Sequence, residues 1–279
     1  MATLVLPKMP PAANKPGVLS FKAVMPPAFA SDTERQRFQK GALALGARVM
    51  DERGWGVGYS VGLSARDALD TNLVWVVPRG KPLCTIVSAD LIGVDLKGEI
   101  RVSSKDGRGL DPEWLPLHLA VYNARSDVNG ITSGHTPHAR AFSVKGETLK
   151  MLWQDSCTFY NCVPVCPFQT AANAATNPQG IADVLGEKGI GMILQNRGVL
   201  SCAGTIEGAV GGYVRIEGLV GNQLLVEAAI KGRGGDVVPI GEEEILFSQK
   251  NTSGEYSQWF QAQPYFARVV ERHGSALEI

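Results

Sequence analysis

Histidine is scarce in this chain: four residues in 279, His118, His135, His138 and His273. Zinc sites and acid–base sites usually draw on imidazole, so such chemistry has few places to sit. Net charge is also missing. The 27 basic and 27 acidic side chains cancel and no long Lys/Arg run occurs, which removes the electrostatic basis for a nucleic-acid partner or an anionic membrane. No run of 18 apolar residues is present, and proline interrupts MATLVLPKMPP before a signal-peptide core could form. A cytoplasmic protein is therefore expected. The five cysteines, Cys84, Cys157, Cys162, Cys166 and Cys202, are odd in number and lie among apolar residues, a pattern of free thiols rather than a disulfide framework. Dinucleotide and P-loop glycine motifs and HExxH are absent, and Cys157, Cys162 and Cys166 lack the second cluster that a zinc site needs.

What is present is a chain that should fold, with 44% apolar residues and 32 glycines. Six prolines fall within residues 1–30, predicting an extended arm ahead of a single domain over 31–279. Ser31 and Glu34 form a capping-box pattern, and Phe38, Ala42, Leu45 and Val49 recur at helical spacing as far as Arg53. Residues 54–101 read as strands: VGYSVGLSARD, LVWVVPRG and CTIVSADLIGVDLKGEI. Asp111-Pro112 opens a helix over 113–125, a short strand covers 130–133, and a loop then holds His135 and His138. GMILQN and VLSC read as buried strands interrupted by Arg197-Gly198. A long helix follows over 205–230, despite five interior glycines that each cost roughly 0.5–1 kcal/mol. The tail from Gly232 reads as loop-rich, with a short helix start at GEEEILF and His273 in a frayed end.

Two segments carry the chemistry: RSDVNGITSGHTPHARAFSVKGETLKMLWQDSCTFYN and MILQNRGVLSCAGT. Together with GLSARD, VSADLIGVD and HLAVYNARSDV, they resemble the class II aldolase/adducin family over roughly residues 20–272. The resemblance implies an α/β fold, a three-layer α/β/α arrangement around a central, largely antiparallel sheet. It also implies a homotetramer with active sites at subunit interfaces. Family enzymes hold a divalent metal with three histidines and move a proton with a glutamate. Here those histidines fall on Ser133, His135 and Arg197, and the glutamate on Trp114, with Glu113 beside it.

The resemblance thus leads us to expect no metal and no cofactor. His135 would be an acid–base group and Arg197 a cation for an oxyanion, with Asp155 and Tyr160 of QDSCTFY near the cleft. Ser133, His138, Glu113 and Trp114 would line the substrate. Gly211 and Gly212 would widen a cavity on the long helix. His118, on one helical face with Tyr122 and Arg125, reads as a packing residue. The expected function is a repurposed, metal-independent lyase, isomerase or cyclase acting on a fairly large, non-phosphorylated organic substrate of a biosynthetic pathway. Two alternatives stand beside it: a non-catalytic adducin-like scaffold, and an aldolase with a metal site rebuilt from His135, His138 and Glu113.

Overall fold

The computed structural model describes residues 24–274, so most of the proline-rich arm lies outside the described residues. Helix α1 (Asp32–Glu52) starts where Ser31 Oγ accepts a hydrogen bond from the Glu34 amide, while the Glu34 carboxylate accepts from the Ala30 amide. Just before it, residues 24–30 are extended. Phe29 packs on Phe38 with ring centroids 5.1 Å apart, and the Tyr256 hydroxyl donates to the Val24 carbonyl.

Strands β1 (Val61–Arg66), β2 (Leu73–Val76), β3 (Ile92–Asp95) and β4 (Ile100–Val102) follow as an antiparallel meander. The expected strand over CTIVSAD is instead two short 3-10 turns, Leu83–Thr85 and Ser88–Asp90. Asp90 accounts for part of this, because its carboxylate accepts from the Val87 amide and closes the second turn. Helix α2 (Leu115–Ala124) begins two residues later than expected, since the Asp111 carboxylate caps the Glu113 and Trp114 amides.

The remaining elements are β5 (Gly130–Gly134), α3 (Pro137–Ser143), a 3-10 segment (Gln154–Phe159), β6 (Val165–Cys166), α4 (Ala171–Thr176) and α5 (Pro178–Leu185). They are followed by β7 (Gly191–Leu194), β8 (Gly198–Ala203), α6 (Ile206–Lys231), α7 (Glu242–Thr252) and α8 (Glu255–His273). The tail is therefore helical rather than loop-rich. Its end is tied down, because His273 Nε2 lies 3.2 Å from the Glu52 carboxylate of α1.

The strands join in one eight-stranded sheet ordered β4-β3-β2-β1-β5-β8-β7-β6, antiparallel throughout except for the β6–β7 pair. Alternate residues feed two cores, as the period of two along a strand requires. Leu63, Trp75, Ile193 and Val199 pack with α1, α3, α6 and α8 on one face. Val74, Val76, Ile131, Met192 and Leu200 pack with α2, α4 and α5 on the other. This is the expected three-layer α/β/α architecture.

Candidate active site

The site forms where two neighbouring strands end together. β5 pairs with β8 so that Gly134 lies opposite Val199, and the chain leaving β5 meets the tight turn Gln195-Asn196-Arg197 that joins β7 to β8. Asn196 takes φ 57°, a left-handed conformation that asparagine tolerates. Gly198 is needed for a different reason: a Cβ there would lie 2.0 Å from the Gly134 carbonyl oxygen. With no side chain at 198, the turn sits directly on the end of β5, and Arg197 comes to rest beside His135.

His135 Nδ1 lies 2.7 Å from the Arg197 carbonyl oxygen. A carbonyl only accepts, so Nδ1 carries the proton and Nε2 of the neutral ring is left with a free lone pair. Burial lowers the His135 pKa, opposed by that hydrogen bond and reinforced by the Arg197 charge, so the ring is neutral and basic at pH 7. Its ring packs against Trp114 at a tilt of 43°, centroids 4.5 Å apart. Trp114 in turn fills the space over Gly62, where a Cβ would come within 2.7 Å of the indole side chain.

Arg197 lies on the same indole, with its guanidinium carbon 4.6 Å from the ring centroid. It donates to the Gln169 carbonyl at 3.0 Å, to the Glu113 carbonyl, and at 3.3 Å to the Glu113 carboxylate. The Arg197 side chain is 6% exposed and that of Glu113 56%. The cation is therefore fixed, while its carboxylate partner reaches solvent. Burial lowers the Arg197 pKa against the opposing charges of Glu113 and Asp111, but a guanidinium stays protonated.

Ser133 is occupied. Its Oγ bonds His118 Nε2 at 2.7 Å, His118 Nδ1 bonds Ser64 Oγ at 2.8 Å, and Ser64 Oγ bonds the Tyr122 hydroxyl at 3.0 Å. All four residues are buried. Burial first, and the nearby Arg197 charge second, push the His118 pKa down to about 3. His118 is thus a core residue, as its helical face suggests, but one that ties α2 to β1 and β5 through both ring nitrogens.

Other expectations change. His138 stands on α3 rather than in a loop. Its amide donates to Glu217 of α6, and its ring lies over Gly221, so it turns away from Arg197. Asp155 and Tyr160 are not brought to His135 within the protomer. The Asp155 carbonyl accepts from Arg215, and the Tyr160 hydroxyl donates to Glu242. The chain after Tyr160 reaches β7 at the end opposite Arg197, where the Ile190 amide donates to the Cys162 carbonyl. Gly211 and Gly212 open no cavity. A Cβ at 211 would meet Ala262 of α8 at 2.7 Å, and one at 212 would meet Ser201 Oγ at 2.5 Å. Close helix–helix and helix–sheet packing explains both.

Glu217 was not apparent as a site residue. Its buried carboxylate accepts from the Thr136 hydroxyl at 2.5 Å and from the His138 and Ala139 amides at 3.0 and 2.8 Å. It caps α3 from another helix and so holds the segment just after His135. A charged residue on the apolar face of α6, one turn from Tyr213 and Val220, was the available signal.

The donor set does not suit a divalent metal. Of the three positions that the resemblance matches to metal ligands, Ser133 is spent on His118, His135 offers one nitrogen, and Arg197 carries a permanent positive charge. The rebuilt set fails as well, because His138 faces α6 and Glu113 is paired with Arg197. Among the described residues no group of three His, Cys, Asp or Glu side chains is placed to hold a metal.

A central sheet between two helical layers, with its site at the β5 end and the β7–β8 turn, defines an aldolase-type α/β fold. A family model described as "Class II Aldolase and Adducin N-terminal domain" matches residues 42–224, and the chain belongs to that family. The chain is 28% identical to a 4-hydroxy-3-prenylphenylpyruvate oxygenase/4-hydroxy-3-prenylbenzoate synthase of Streptomyces roseochromogenus subsp. oscitans, covering 94% of this chain and 91% of the relative. It is 30% identical to decarboxylase NovR of Streptomyces niveus, over 78% and 80% of the two chains. Among solved structures, L-fuculose 1-phosphate aldolase from Glaciozyma antarctica PI12 superposes with a TM-score of 0.81 at 29% identity, covering 91% of this chain and 97% of that one. No described helix is long and apolar enough to cross a membrane.

Proposed function

We propose that the chain is a metal-independent lyase of the decarboxylase type, acting on a non-phosphorylated aromatic acid. One observation carries this reading: a neutral imidazole with a free Nε2 and a fixed guanidinium both pack on the Trp114 indole, at positions that the resemblance matches to the family's metal ligands. The names of relatives support the substrate class, since they include a 3,4-dihydroxyphthalate decarboxylase of Arthrobacter keyseri, 26% identical over 67% of this chain, besides the benzoate synthase, and NovR is likewise named a decarboxylase.

The chemistry follows from the charges. Glu113 is the exchangeable partner of Arg197, being exposed and held at 3.3 Å, a geometry worth little in water. A substrate oxyanion replaces it on the guanidinium. His135 Nε2 takes the phenolic proton and delivers it to the ring carbon that bears the carboxylate. The bond to the carboxylate carbon then breaks, its electron pair restores the ring, and CO2 leaves. A proton from solvent regenerates the phenol. Arg197 offsets the negative charge on oxygen throughout.

The assay is CO2 release from a panel of hydroxybenzoates and arylpyruvates. His135→Asn and Arg197→Met are each expected to lower kcat/KM by about 100-fold or more, and Glu113→Gln to lower KM by freeing the guanidinium. Activity falls at acid pH with an apparent pKa below the ordinary 6.5 of histidine, because burial lowers the pKa of His135. Turnover that survives both substitutions would remove the proposal. A second reading, the non-catalytic scaffold, is favoured by the near-complete burial of Arg197; it predicts no turnover and no ligand-induced stabilisation with any panel member. The assembly we propose is a homotetramer in the cytoplasm, testable by light scattering of the purified chain and by imaging of a tagged copy.

A further inference from the structure

His135 is the first residue beyond β5, whose last ladder residue, Gly134, pairs with Val61 and Val199. Outside the ladder its backbone is held by one bond, from the His135 amide to the Ser60 carbonyl at 3.0 Å. The residue before it is glycine, which restrains the chain least of all. A base that must present Nε2 needs a firmer seat, because a small rotation of this backbone takes Nδ1 off the Arg197 carbonyl.

The alternation of the strand continues past its end. Gly134 and Thr136 face α6, while His135 between them faces Trp114. On the α6 side three buried side chains are joined in a line. Thr136 Oγ1 donates to Glu217 Oε2 at 2.5 Å, a length typical of a hydroxyl bonded to a carboxylate. A hydroxyl has one proton, so the Tyr213 hydroxyl, 2.9 Å from Thr136 Oγ1, is the donor of the second bond. The same Tyr213 hydroxyl lies against Gly134, where a Cβ would come within 2.7 Å of it.

The residues on both sides of His135 are therefore held from one helix. Thr136 is 1% exposed, Tyr213 0% and Glu217 3%, so water does not compete for these bonds. Capping α3 does not call for the Thr136 hydroxyl, since the His138 and Ala139 amides already bond the Glu217 carboxylate. The hydroxyl is an additional link, made at the residue next to His135.

We infer that Thr136, clamped by Tyr213 and Glu217, is a positioning residue: it fixes the backbone at 134–136 so that His135 keeps Nδ1 on the Arg197 carbonyl and Nε2 free for the substrate. The inference rests on the reading of His135 as the base, but the tautomer it concerns is measured without turnover.

Proton–nitrogen correlation spectra of the isotope-labelled full chain, recorded where the ring is neutral, test it; the His135 signals are identified by their loss in His135→Asn. The wild type is expected to show a protonated Nδ1 and a bare Nε2. Thr136→Val keeps the shape of the side chain and the amide cap of α3 but lacks the hydroxyl, and it should give His135 a mixture of both tautomers. Thr136→Ser should restore the wild-type pattern. If Thr136→Val fails to fold, Tyr213→Phe, which removes the donor to Thr136 and no contact to the α3 amides, should show the same mixing. With a turned-over substrate, Thr136→Val should lower kcat by about tenfold, part of what a general base contributes, with KM little changed because Arg197 is untouched. A wild-type ring protonated on Nε2, an unchanged tautomer in the folded Thr136→Val or Tyr213→Phe variant, or a serine variant as mixed as the valine one would overturn the inference. Absence of CO2 release from the wild type bears on the proposed reaction alone, and the spectra then decide the positioning role.

Discussion

His118 shows how much one residue can mean when its surroundings are known. Both ring nitrogens are used, by Ser64 and Ser133, and the folded protein holds the ring neutral down to about pH 3. In the unfolded chain the same group titrates near 6.5. Between those values the unfolded state binds a proton that the folded state does not, so stability falls as pH drops below 6.5. The loss from His118 alone is about 2 kcal/mol at pH 5 relative to pH 7.5. Urea unfolding at the two pH values should show that difference in the wild type, and His118→Gln should reduce it. An identical pH dependence in the variant would mean that the ring titrates in the fold. At this scale the sequence was partly legible. The helical spacing of His118, Tyr122 and Arg125 pointed to packing, but Ser64 and Ser133 are partners only because β1 and β5 pair beneath α2.

Among the elements, α6 carries the clearest test, because its glycines differ in purpose. Gly211 and Gly212 sit against Ala262 and Ser201, Gly221 against the His138 ring, and Gly218 faces open space. Gly211→Leu should therefore destabilise the fold by about 1–3 kcal/mol through overpacking against α8. Gly218→Ala should stabilise it by about 0.5–1 kcal/mol through helix propensity and a less flexible unfolded chain. Thermal unfolding of the two variants distinguishes these outcomes, and a neutral Gly211→Leu would revive the idea of a cavity along this helix. The helix itself was legible from its Thr205 cap, whose side chain accepts from the Gly208 amide, and from its length. Which glycine touches what was not, since the answer lies in α8 and β8, distant in sequence.

For the molecule as a whole, the proposed metal-independent chemistry has a direct test. Prolonged dialysis against a chelator should leave both the melting temperature and any CO2 release unchanged. A drop in either that zinc, manganese or iron restores would show that a donor set is completed in some way the protomer does not display, such as by a neighbouring subunit.

Much was determined by the sequence itself. The capping signals of α1 and α6 and the alternation along the strands are local or ordered along the chain, so they read directly. Only tertiary structure could decide that Trp114 fills the space over Gly62, that Glu217 caps a helix on another element, and that Asp155 and Tyr160 lie away from His135. Each of these depends on strand order and helix packing. Contacts between residues far apart in the chain follow from how layers stack, and no periodicity or spacing encodes that alone.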